Sequence, residues 1–593
     1  MTKNDAVRFR SGAAPVALFA AVLLCASSGA AYGDNDCAGK GSIRLVNGKI
    51  HTMERPDRVV SSVLIENGEF AAVGGQGAGS PGGCTRVINL HGRTVVPGLI
   101  DNHNHIILLG LRPGHDVRLD KARSIPKAQE LLAAKAATVQ PGEWVVTLGG
   151  IHRNQFVAPP ATARFPSLAE LDAALPANPT LLFESFTGPS QTNSIGRAFF
   201  QSKGIAVGPD GSIAANAPSL QALQALRDLP QHNNLKAQTR GLLDALGFGL
   251  SVGLTTHLDQ GSFHFAESYV GNTGTTADGL ASFDQYRAFD SAKALHAAGK
   301  LPARLQINYL HIEPDAATPQ LTQRLNNTTE LLGDEWLSNG GIGEFTGGSP
   351  FGGLGSVPWM NATRLVAEHG WRNENHSLSS TDFTVILDFW NQTNSELKTT
   401  GIPQSPSSPD PLKRMIVNPD GITQLRWVVA HVPFISPTYI ELSKRLGVGL
   451  SVLGGWRWLS GTPTGNGPPF RTILDLGARA GMSSDGMQIS VMDPWTGMYY
   501  AVTGKNARGV LINAGQTITR EQVLRLYTAD NAWFLGPKWE KKVGTIERGK
   551  WADLAVLSDD YFDPSRVSDE QIMDIRSVLT IVNGKVVHDE LGK

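Results

Sequence analysis

The sequence predicts a mixed α/β fold, a TIM-like (β/α)8 barrel joined to a small β-sandwich domain that is built from both ends of the chain. Short apolar runs alternate with helix-like segments through the middle of the sequence. Strand-like segments with Asn-Gly turns occupy both ends, and the tetrapeptide VNGK occurs at 46–49 and again at 582–585. With 593 residues, the chain is long enough for one large domain and a smaller one.

The first residues are typical of a secretory signal. Two arginines precede the apolar run AAPVALFAAVLLCA, and small residues follow before the polar DNDCAGKG. The apolar run is short for a membrane span, so we expect a signal peptide over 1–33 and an exported protein, periplasmic or secreted. The alternative is an uncleaved membrane anchor. After cleavage, Cys37 and Cys84 would remain, and in an oxidising compartment we expect them to form a disulfide; the alternative is two unlinked thiols.

Both chain ends alternate apolar and polar residues as half-buried strands do. SIRLVNGKIHTM, RVVSSVLIENGEFAAVG and TRVINLHGRTVVPG belong to the first part of the small β domain, predicted over 34–97. GTIERGKWADLAVLS and SVLTIVNGKVVHDE belong to its second part, predicted over 541–593. We therefore expect the barrel, over 98–540, to be inserted between the two parts.

The middle of the chain has the alternation expected of a parallel barrel. The segments SIPKAQELLAAKAATV, NLKAQTRGLLDALGFGL and SPTYIELSKRLG carry apolar residues at helical spacing. The short apolar runs between the helix-like segments are EWVVTLGG, TLLFES, LTTHLD, ARLQINYLHI, GGIGEF, LRWVVAHV, GVGLSVLG and GARAGMSSD. In such barrels the chemistry lies at the ends of the strands.

One strand of this kind, TVVPGLIDNHNH, ends in His103 and His105. In an extended segment, residues two apart point the same way, so these two imidazoles face together while Asn104 points elsewhere. Such a pair can bind one cation, although a solvated or structural pair is the alternative.

Further polar residues follow later strands in chain order. Glu344 stands in GGIGEFTGG, His376 in GWRNENHSL, His431 in LRWVVAHVPF and Asp485 in GARAGMSSD. Zinc accepts this mixture of imidazole and carboxylate ligands. The set therefore predicts a divalent metal site, with zinc as the expected metal and one or two ions bound.

These motifs resemble the amidohydrolase superfamily. VVPGLIDNHNH is similar to its signature Pro-Gly-hydrophobic-hydrophobic-Asp-x-His-x-His, and GTIERGKWADLAVL is similar to the segment that returns to the sheet domain. SLAELDAALPANPTLLF, TNSIGRAFFQSKGI, FGLSVGLTTHLDQG and TITREQVLRLYTADNAWFLG resemble amidohydrolase family 3, the branch that includes N-substituted formamide deformylase.

The resemblance implies a role for each of these residues. His103 and His105 would bind the more buried metal, and the pair His376 and His431 would bind a second one. Asp485 would ligate the metal and carry the proton. Relatives bridge two metals with a carboxylated lysine or a glutamate; GGIGEFTGG contains no lysine, so Glu344 is the bridging candidate. The alternative is that this glutamate only lines the pocket.

The expected activity is hydrolysis of a C–N bond in an amide, an N-acyl or N-formyl compound, or a cyclic amide. A metal-activated water would attack, with Asp485 as proton shuttle. The alternatives are an esterase or lactonase that uses the same site, and a non-catalytic secreted protein that binds a small molecule or metal. The net charge of −1 gives no electrostatic reason to expect nucleic acid or an anionic membrane as partner. We therefore expect a small-molecule substrate, no stable membrane insertion after signal cleavage, and monomers or a homo-oligomer.

Other polar and aromatic residues near strand ends are candidates for substrate binding. His257 and Asp259 stand in LTTHLDQG, and Trp456 stands in VLGGWRWLSG. We expect them to line the pocket; the alternatives are ordinary loop residues for the first two and packing for the tryptophan.

Overall fold

The structure is a computed structural model, which describes residues 41–75, 84–111, 113–156, 163–184, 188–232, 234–261, 288–348, 353–399, 402–403, 415–416, 418–460, 467–487 and 490–592. The predicted signal peptide and Cys37 lie outside these residues, whereas Cys84 lies within them and is disulfide-bonded. Among the described helices, none has the length and apolar character that a membrane crossing requires.

The strands are short and follow the chain in this order: β1 Ser42–Val46, β2 Lys49–His51, β3 Val59–Val60, β4 Val63–Glu66, β5 Glu69–Val73, β6 Thr85–Asn89, β7 Thr94–Pro97, β8 Leu99–Asn104, β9 His115–Asp116, β10 Val145–Leu148, β11 Thr180–Phe183, β12 Ser190–Gln191, β13 Ser212–Ile213, β14 Leu254–Asp259, β15 Arg304–Tyr309, β16 Leu337–Ile342, β17 Glu374–Asn375, β18 Ile402–Pro403, β19 Met415–Ile416, β20 Val428–His431, β21 Gly449–Leu453, β22 Ala480–Ser483, β23 Leu554–Leu557, β24 Ser577–Val582 and β25 Lys585–Asp589.

The helices, most of which lie between strands of the middle segment, are α1 Ile106–Gly110, α2 Ile125–Ala136, α3 Leu168–Ala174, α4 Ser194–Ser202, α5 Ala217–Arg227, α6 Leu235–Ser251, α7 Asp290–Ala297, α8 Pro319–Asn327, α9 Val357–Glu368, α10 Ser380–Thr399, α11 Pro437–Arg445, α12 Gly455–Ser460, α13 Phe470–Asp475, α14 Pro494–Thr503, α15 Arg520–Leu526 and α16 Gly536–Glu540. Polar side chains cap several of their first turns; for example, Ser124 Oγ accepts the backbone N–H of Lys127 at the start of α2. The three helix-like segments singled out in the sequence form α2, α6 and α11.

The two chain ends meet in two sheets, ordered β5-β4-β1-β6 and β25-β24-β23-β7-β2-β3. In the second sheet, β7 pairs in parallel with β2 and antiparallel with β23, so it joins the three N-terminal strands to the three C-terminal ones. One apolar cluster contains side chains of both sheets, including Leu45 and Ile65 from the first and Val95 and Ile581 from the second. This shared core is the reason why both chain ends are held together.

Parallel strands form the centre of the middle segment. Two four-stranded sheets are ordered β16-β15-β14-β8 and β17-β20-β21-β22. An isolated bridge between Ile342 and Asn373 links them on one side. On the other side, the backbone N–H of Asp485 donates to the carbonyl of His103 at 2.9 Å. The carboxyl ends of β8 and β22 therefore lie side by side.

The mixed α/β fold is as predicted, but the structure differs from a simple TIM-like (β/α)8 barrel in two respects. Within the described residues, the strands do not form one continuous ladder; the two parallel sheets are separate and are joined by the isolated bridge and a few backbone hydrogen bonds. In addition, β10 and β11, which come from the predicted barrel strands EWVVTLGG and TLLFES, belong to a separate five-stranded sheet, β13-β12-β11-β10-β9. An apolar run reports burial and not the identity of its partner, which explains the misassignment.

Candidate functional site

Backbone hydrogen bonds bring the ends of β8 and β22 into register. The N–H of Asp485 donates to His103 O at 2.9 Å, and the N–H of His105 donates to Gly486 O at 2.6 Å. These two bonds place the Asp485 carboxylate beside both imidazoles. Asn104 points away from them, with its side-chain nitrogen 3.1 Å from His257 Nδ1, as the two-residue spacing predicts.

A second backbone contact joins the residues that follow β16 and β17. The N–H of His376 donates to Glu344 O at 3.0 Å. His431, at the end of β20, and Asp485 have left-handed backbone conformations, with φ values of 70° and 51°. Such conformations cost about 1–3 kcal/mol in a residue other than glycine and are concentrated at functional sites. His431 Nε2 lies 3.1 Å from Glu344 Oε2, and His431 Nδ1 lies 3.7 Å from Asp485 Oδ2.

Six buried side chains converge at this place, with exposed fractions between 0 and 7%: His103, His105, Glu344, His376, His431 and Asp485. The structure therefore brings together every residue that the sequence predicted for the metal site. Two groups of them could each hold one metal ion, and Glu344 belongs to both groups.

The first group surrounds His103 and His105, at the end of β8. His105 Nε2 lies 3.1 Å from Glu344 Oε1 and 3.3 Å from Asp485 Oδ1. His103 Nε2 lies 3.5 Å from Glu344 Oε2 and 3.8 Å from Asp485 Oδ1. Ligands at 2.0–2.1 Å from a tetrahedral zinc ion are separated by about 3.3 Å. These separations are of that size.

The second group lies on the other side of Glu344. Glu344 Oε2 is 2.9 Å from His376 Nδ1 and 3.1 Å from His431 Nε2, and these two imidazole nitrogens are 2.9 Å apart. Three donor atoms of the types that zinc prefers thus converge on one point. Glu344 Oε2 is shared with the first group, which is the position that a bridging ligand needs.

The hydrogen bonds of the cluster are incomplete in a way that fits a metal. Within the described part of the chain, His103 Nε2 and Asp485 Oδ1 are buried and have no hydrogen-bond partner. A buried polar atom without a partner costs about 1–3 kcal/mol. Coordination of a cation by these imidazole and carboxylate atoms would remove much of that cost, so the residues present fit a divalent metal.

The carboxylates control the protonation of the β8 histidines. Burial opposes the charged imidazolium, but the nearby Glu344 and Glu374 carboxylates outweigh burial and hold the pKa of His103 well above its usual value. For His105, burial is likewise outweighed, here by Asp485 and Glu344, and the pKa rises to about 10. Because a metal binds the deprotonated nitrogen, it must displace these protons, and binding is coupled to proton release.

The same interactions keep the acids ionised. Burial raises the pKa of a carboxyl group, but the charge of His376 and hydrogen bonds to neighbouring imidazoles hold the pKa of Glu344 well below its usual value. The charge of His431 acts in the same way, and the pKa of Asp485 is lowered despite burial. Both acids are therefore carboxylates at neutral pH, as metal ligands and proton acceptors must be.

The three predicted substrate-binding residues are not members of the cluster. His257 packs against Gly249 of α6, and its Nδ1 lies beside Asn104. Trp456 is half-buried in α12, where the Arg457 guanidinium lies 5.6 Å from the centre of its ring.

Asp259 acts on the cluster through the backbone. Its two oxygens accept the N–H groups of Ile107 and Gly261, each at 2.9 Å. The carbonyl of Gly261 in turn accepts a hydrogen bond from His105 Nδ1 at 3.2 Å. This buried acid, whose pKa burial raises to about 6, therefore orients a histidine and does not face an open pocket.

One buried acid beside the cluster was missed in the sequence. Glu374 is fully buried, and its Oε1 lies 2.7 Å from His103 Nδ1. It stands two residues before His376, the spacing that separates His103 from His105. The same rule that selects the β8 pair therefore places Glu374 and His376 on one side of β17.

Comparisons with known proteins agree with this geometry. The sequence profile of the amidohydrolase family matches residues 86–588. The N-substituted formamide deformylase of Arthrobacter pascens is 23% identical over 579 residues, which are 93% of this chain and 99% of that protein.

Two solved structures have a similar fold. An uncharacterized metal-dependent hydrolase from Pyrococcus furiosus superposes with a TM-score of 0.53 at 17% identity, over 88% of this chain and all of that one. The atrazine chlorohydrolase of Arthrobacter aurescens, complexed with zinc, gives 0.50 at 14% identity over 93% of this chain and 96% of that one. The family match covers most of the sequence and includes the strands that carry the buried cluster. The chain belongs to the amidohydrolase family, and the predicted enzyme class, an amidohydrolase, is confirmed.

Proposed function

We propose that this protein is a metal-dependent hydrolase that cleaves the C–N bond of a small amide, an N-acyl or N-formyl compound, or a cyclic amide. The observation that carries the proposal is the placement of Glu344 between two pairs of imidazoles, with Asp485 beside the first pair. The relationship to a formamide deformylase over 93% of the chain supports a C–N bond as the target.

Zinc is the metal we propose, as one or two ions. His103, His105 and Asp485 would hold the first ion, His376 and His431 the second, and Glu344 would bridge them. The donor set supports this choice, as does the zinc bound to the related atrazine chlorohydrolase. A bound zinc ion polarises a substrate carbonyl and lowers the pKa of water to about 7.

Asp485 is the group that we propose to move the proton. It is ionised, since nearby imidazoles hold its pKa below the usual value despite burial. Its Oδ1 lies at ligand-to-ligand distances from His105 and His103 Nε2, 3.3 and 3.8 Å, which leaves Oδ2 to accept a proton from the attacking water. The same oxygen can then return the proton to the leaving nitrogen. The left-handed backbone at this residue, with φ of 51°, directs the side chain toward the β8 histidines.

The test is the replacement Asp485→Asn in the purified full chain. We expect loss of turnover on N-formyl and N-acyl substrates with the melting temperature largely retained, because Asn keeps the size of the side chain but cannot take the proton. Turnover like that of the wild type would overturn the proposed role.

Matched substrates and metal analysis separate this function from its rivals. An ester and an amide of equal shape distinguish the amidohydrolase from an esterase or lactonase. Bound metal without hydrolysis of any tested compound would favour a protein that only binds its ligand.

The finer architecture is also a proposal. We assign β8, β14, β15, β16, β17, β20, β21 and β22 to a (β/α)8 barrel over 98–540, and the two terminal sheets to a β-sandwich over 34–97 and 541–593. The eight parallel strands and the shared apolar core support these assignments. Export after cleavage of residues 1–33 rests on the sequence, and N-terminal sequencing of the mature protein tests it.

A further inference from the structure

The acid missed in the sequence, Glu374, has a complete set of hydrogen bonds. Its Oε1 accepts from His103 Nδ1 at 2.7 Å. Its Oε2 accepts from Arg372 Nη2 and from Asn308 Nδ2, each at 3.2 Å. All four side chains are buried, with exposed fractions of 0 to 2%. Both oxygens are thus held, and neither one faces the space between the imidazoles and Glu344.

These contacts determine which nitrogen of His103 carries a proton in the neutral ring. A carboxylate only accepts hydrogen bonds, so Nδ1 must be the donor. In the neutral imidazole, Nε2 then keeps its lone pair. That nitrogen has no hydrogen-bond partner among the described residues and lies 3.5 Å from Glu344 Oε2. The lone pair is therefore directed into the space that the first group of ligands surrounds.

Further hydrogen bonds of Arg372 and Asn308 hold Glu374 in place. Arg372 also donates through Nη1 to the carbonyl of Phe534, so its guanidinium is held from two sides. Asn308 donates to Gln260 Oε1 at 2.8 Å through the same nitrogen that contacts Glu374. Glu374 therefore contacts the Arg372 guanidinium through one oxygen and His103 through the other. It connects a fixed part of the protein to one proposed metal ligand.

We propose that Glu374 is a positioning residue for the metal site. It fixes the tautomer and ring orientation of His103 and raises the basicity of Nε2, so that the first ion binds more tightly. The proposal rests on the proposed metal-dependent function and goes beyond it, because it concerns a residue that touches neither metal nor substrate. Outer partners of metal-binding histidines contribute about 10–100-fold in metal affinity.

The experiment measures zinc affinity directly. The purified full chain is stripped of metal and titrated with zinc in competition with a chromophoric chelator. Wild type is compared with Glu374→Gln and with Glu313→Gln as a matched control. Glu313, like Glu374, is a buried glutamate, with an exposed fraction of 4% against 0%, but it accepts backbone N–H groups of Gln320 and Leu321 at the start of α8. For Glu374→Gln we expect the dissociation constant of the first ion to rise about 10–100-fold, and for the control we expect no change.

Arg372 would lose its carboxylate partner in Glu374→Gln, and the variant could fail to fold. The double variant Arg372→Met/Glu374→Gln removes both charges and keeps the experiment decisive. If the double variant melts like the wild type and binds zinc more weakly, the proposal is supported. If either folded variant binds zinc as tightly as the wild type, the proposal is overturned.

A spectrum separates positioning from general loss of stability. In the cobalt-substituted protein, altered orientation and basicity of His103 should change the visible absorption band of Glu374→Gln, whereas the control should keep the wild-type band. An unchanged band in the folded variant would count against the proposal. Wild-type protein that binds neither zinc nor cobalt would refute the proposed function itself, which is a different outcome from a failure confined to Glu374.

Discussion

Replacement of Glu344 with Gln removes one negative charge and one oxygen from the centre of four imidazoles. In the structure, Oε1 lies 3.1 Å from His105 Nε2, and Oε2 lies 2.9 Å from His376 Nδ1 and 3.1 Å from His431 Nε2. An amide offers one oxygen and one NH2 group, so one of the two metal groups would lose its ligand and face a donor instead.

The magnitude follows from the number of contacts that are lost. Mutation of an outer partner of a metal ligand costs about 10–100-fold in affinity. Loss of a ligand shared by two ions should cost at least about 100-fold, or about 2.7 kcal/mol, for the more weakly bound ion. Elemental analysis after dialysis against metal-free buffer measures the outcome. We expect two zinc ions per chain in the wild type and in Glu313→Gln, and one or none in Glu344→Gln.

Two results would refute this reasoning. Two ions retained in Glu344→Gln would show that this carboxylate is not a ligand. One ion in the wild type would show that it does not bridge and instead lines a pocket beside a single metal.

Other parts of the structure lead to further predictions. Asp553 is buried and accepts two hydrogen bonds from Arg304, at 2.6 and 2.9 Å. Arg304→Met leaves this carboxylate without its charged partner and should lower the free energy of unfolding, measured in urea titrations, by about 3–5 kcal/mol. Adding Asp553→Asn should recover part of the loss, and no recovery would contradict this explanation. Burial raises the pKa of Glu330 from 4.5 to about 7, so the folded state binds its proton more tightly and stability falls as pH rises between these values. Glu330→Gln should therefore stabilise the protein by on the order of 1–3 kcal/mol at pH 8 and not at pH 4; equal melting shifts at both pH values would exclude this cause. Because Cys84 is disulfide-bonded and Cys37 is the other cysteine expected after cleavage, denatured, unreduced mature protein should contain no free thiol; two free thiols would refute a Cys37–Cys84 bond.

The repeated tetrapeptide VNGK shows what local sequence determines and what it does not. Asn47 and Asn583 both have left-handed backbone conformations, with φ values of 56° and 50°, as an Asn-Gly turn predicts. The second copy closes a hairpin between β24 and β25. The first copy instead passes the chain from β1 in one sheet to β2 in the other. The turn is local, whereas the pairing depends on partners far away in the sequence.

The candidate site was more predictable than the sheets around it. Most metal-site residues lie at or just after the end of a strand that an apolar run marks. His376 follows β17, which has no such run, and the family resemblance supplied its role. Glu374 was missed because β17 has only two residues, Glu374 and Asn375, both polar. No apolar run marks this strand, and its position is set by pairing with β20. The separate sheet containing β10 and β11 could not be predicted for a related reason, since buried strands look alike whichever sheet they join.

The position of β7 has a consequence for how the protein is made. Val96 pairs with Ala555 of β23. A ribosome that adds about 5–20 residues per second takes roughly 20 to 90 s to synthesise the chain from Val96 to Ala555. During that interval one edge of β7 lacks its partner, and an unpaired apolar strand edge is prone to associate with other chains. Synthesis in the cell therefore depends on protecting Thr94–Pro97 until the last strands emerge, and chains that stop before Leu554 should aggregate even though every residue of the candidate metal site has already been made.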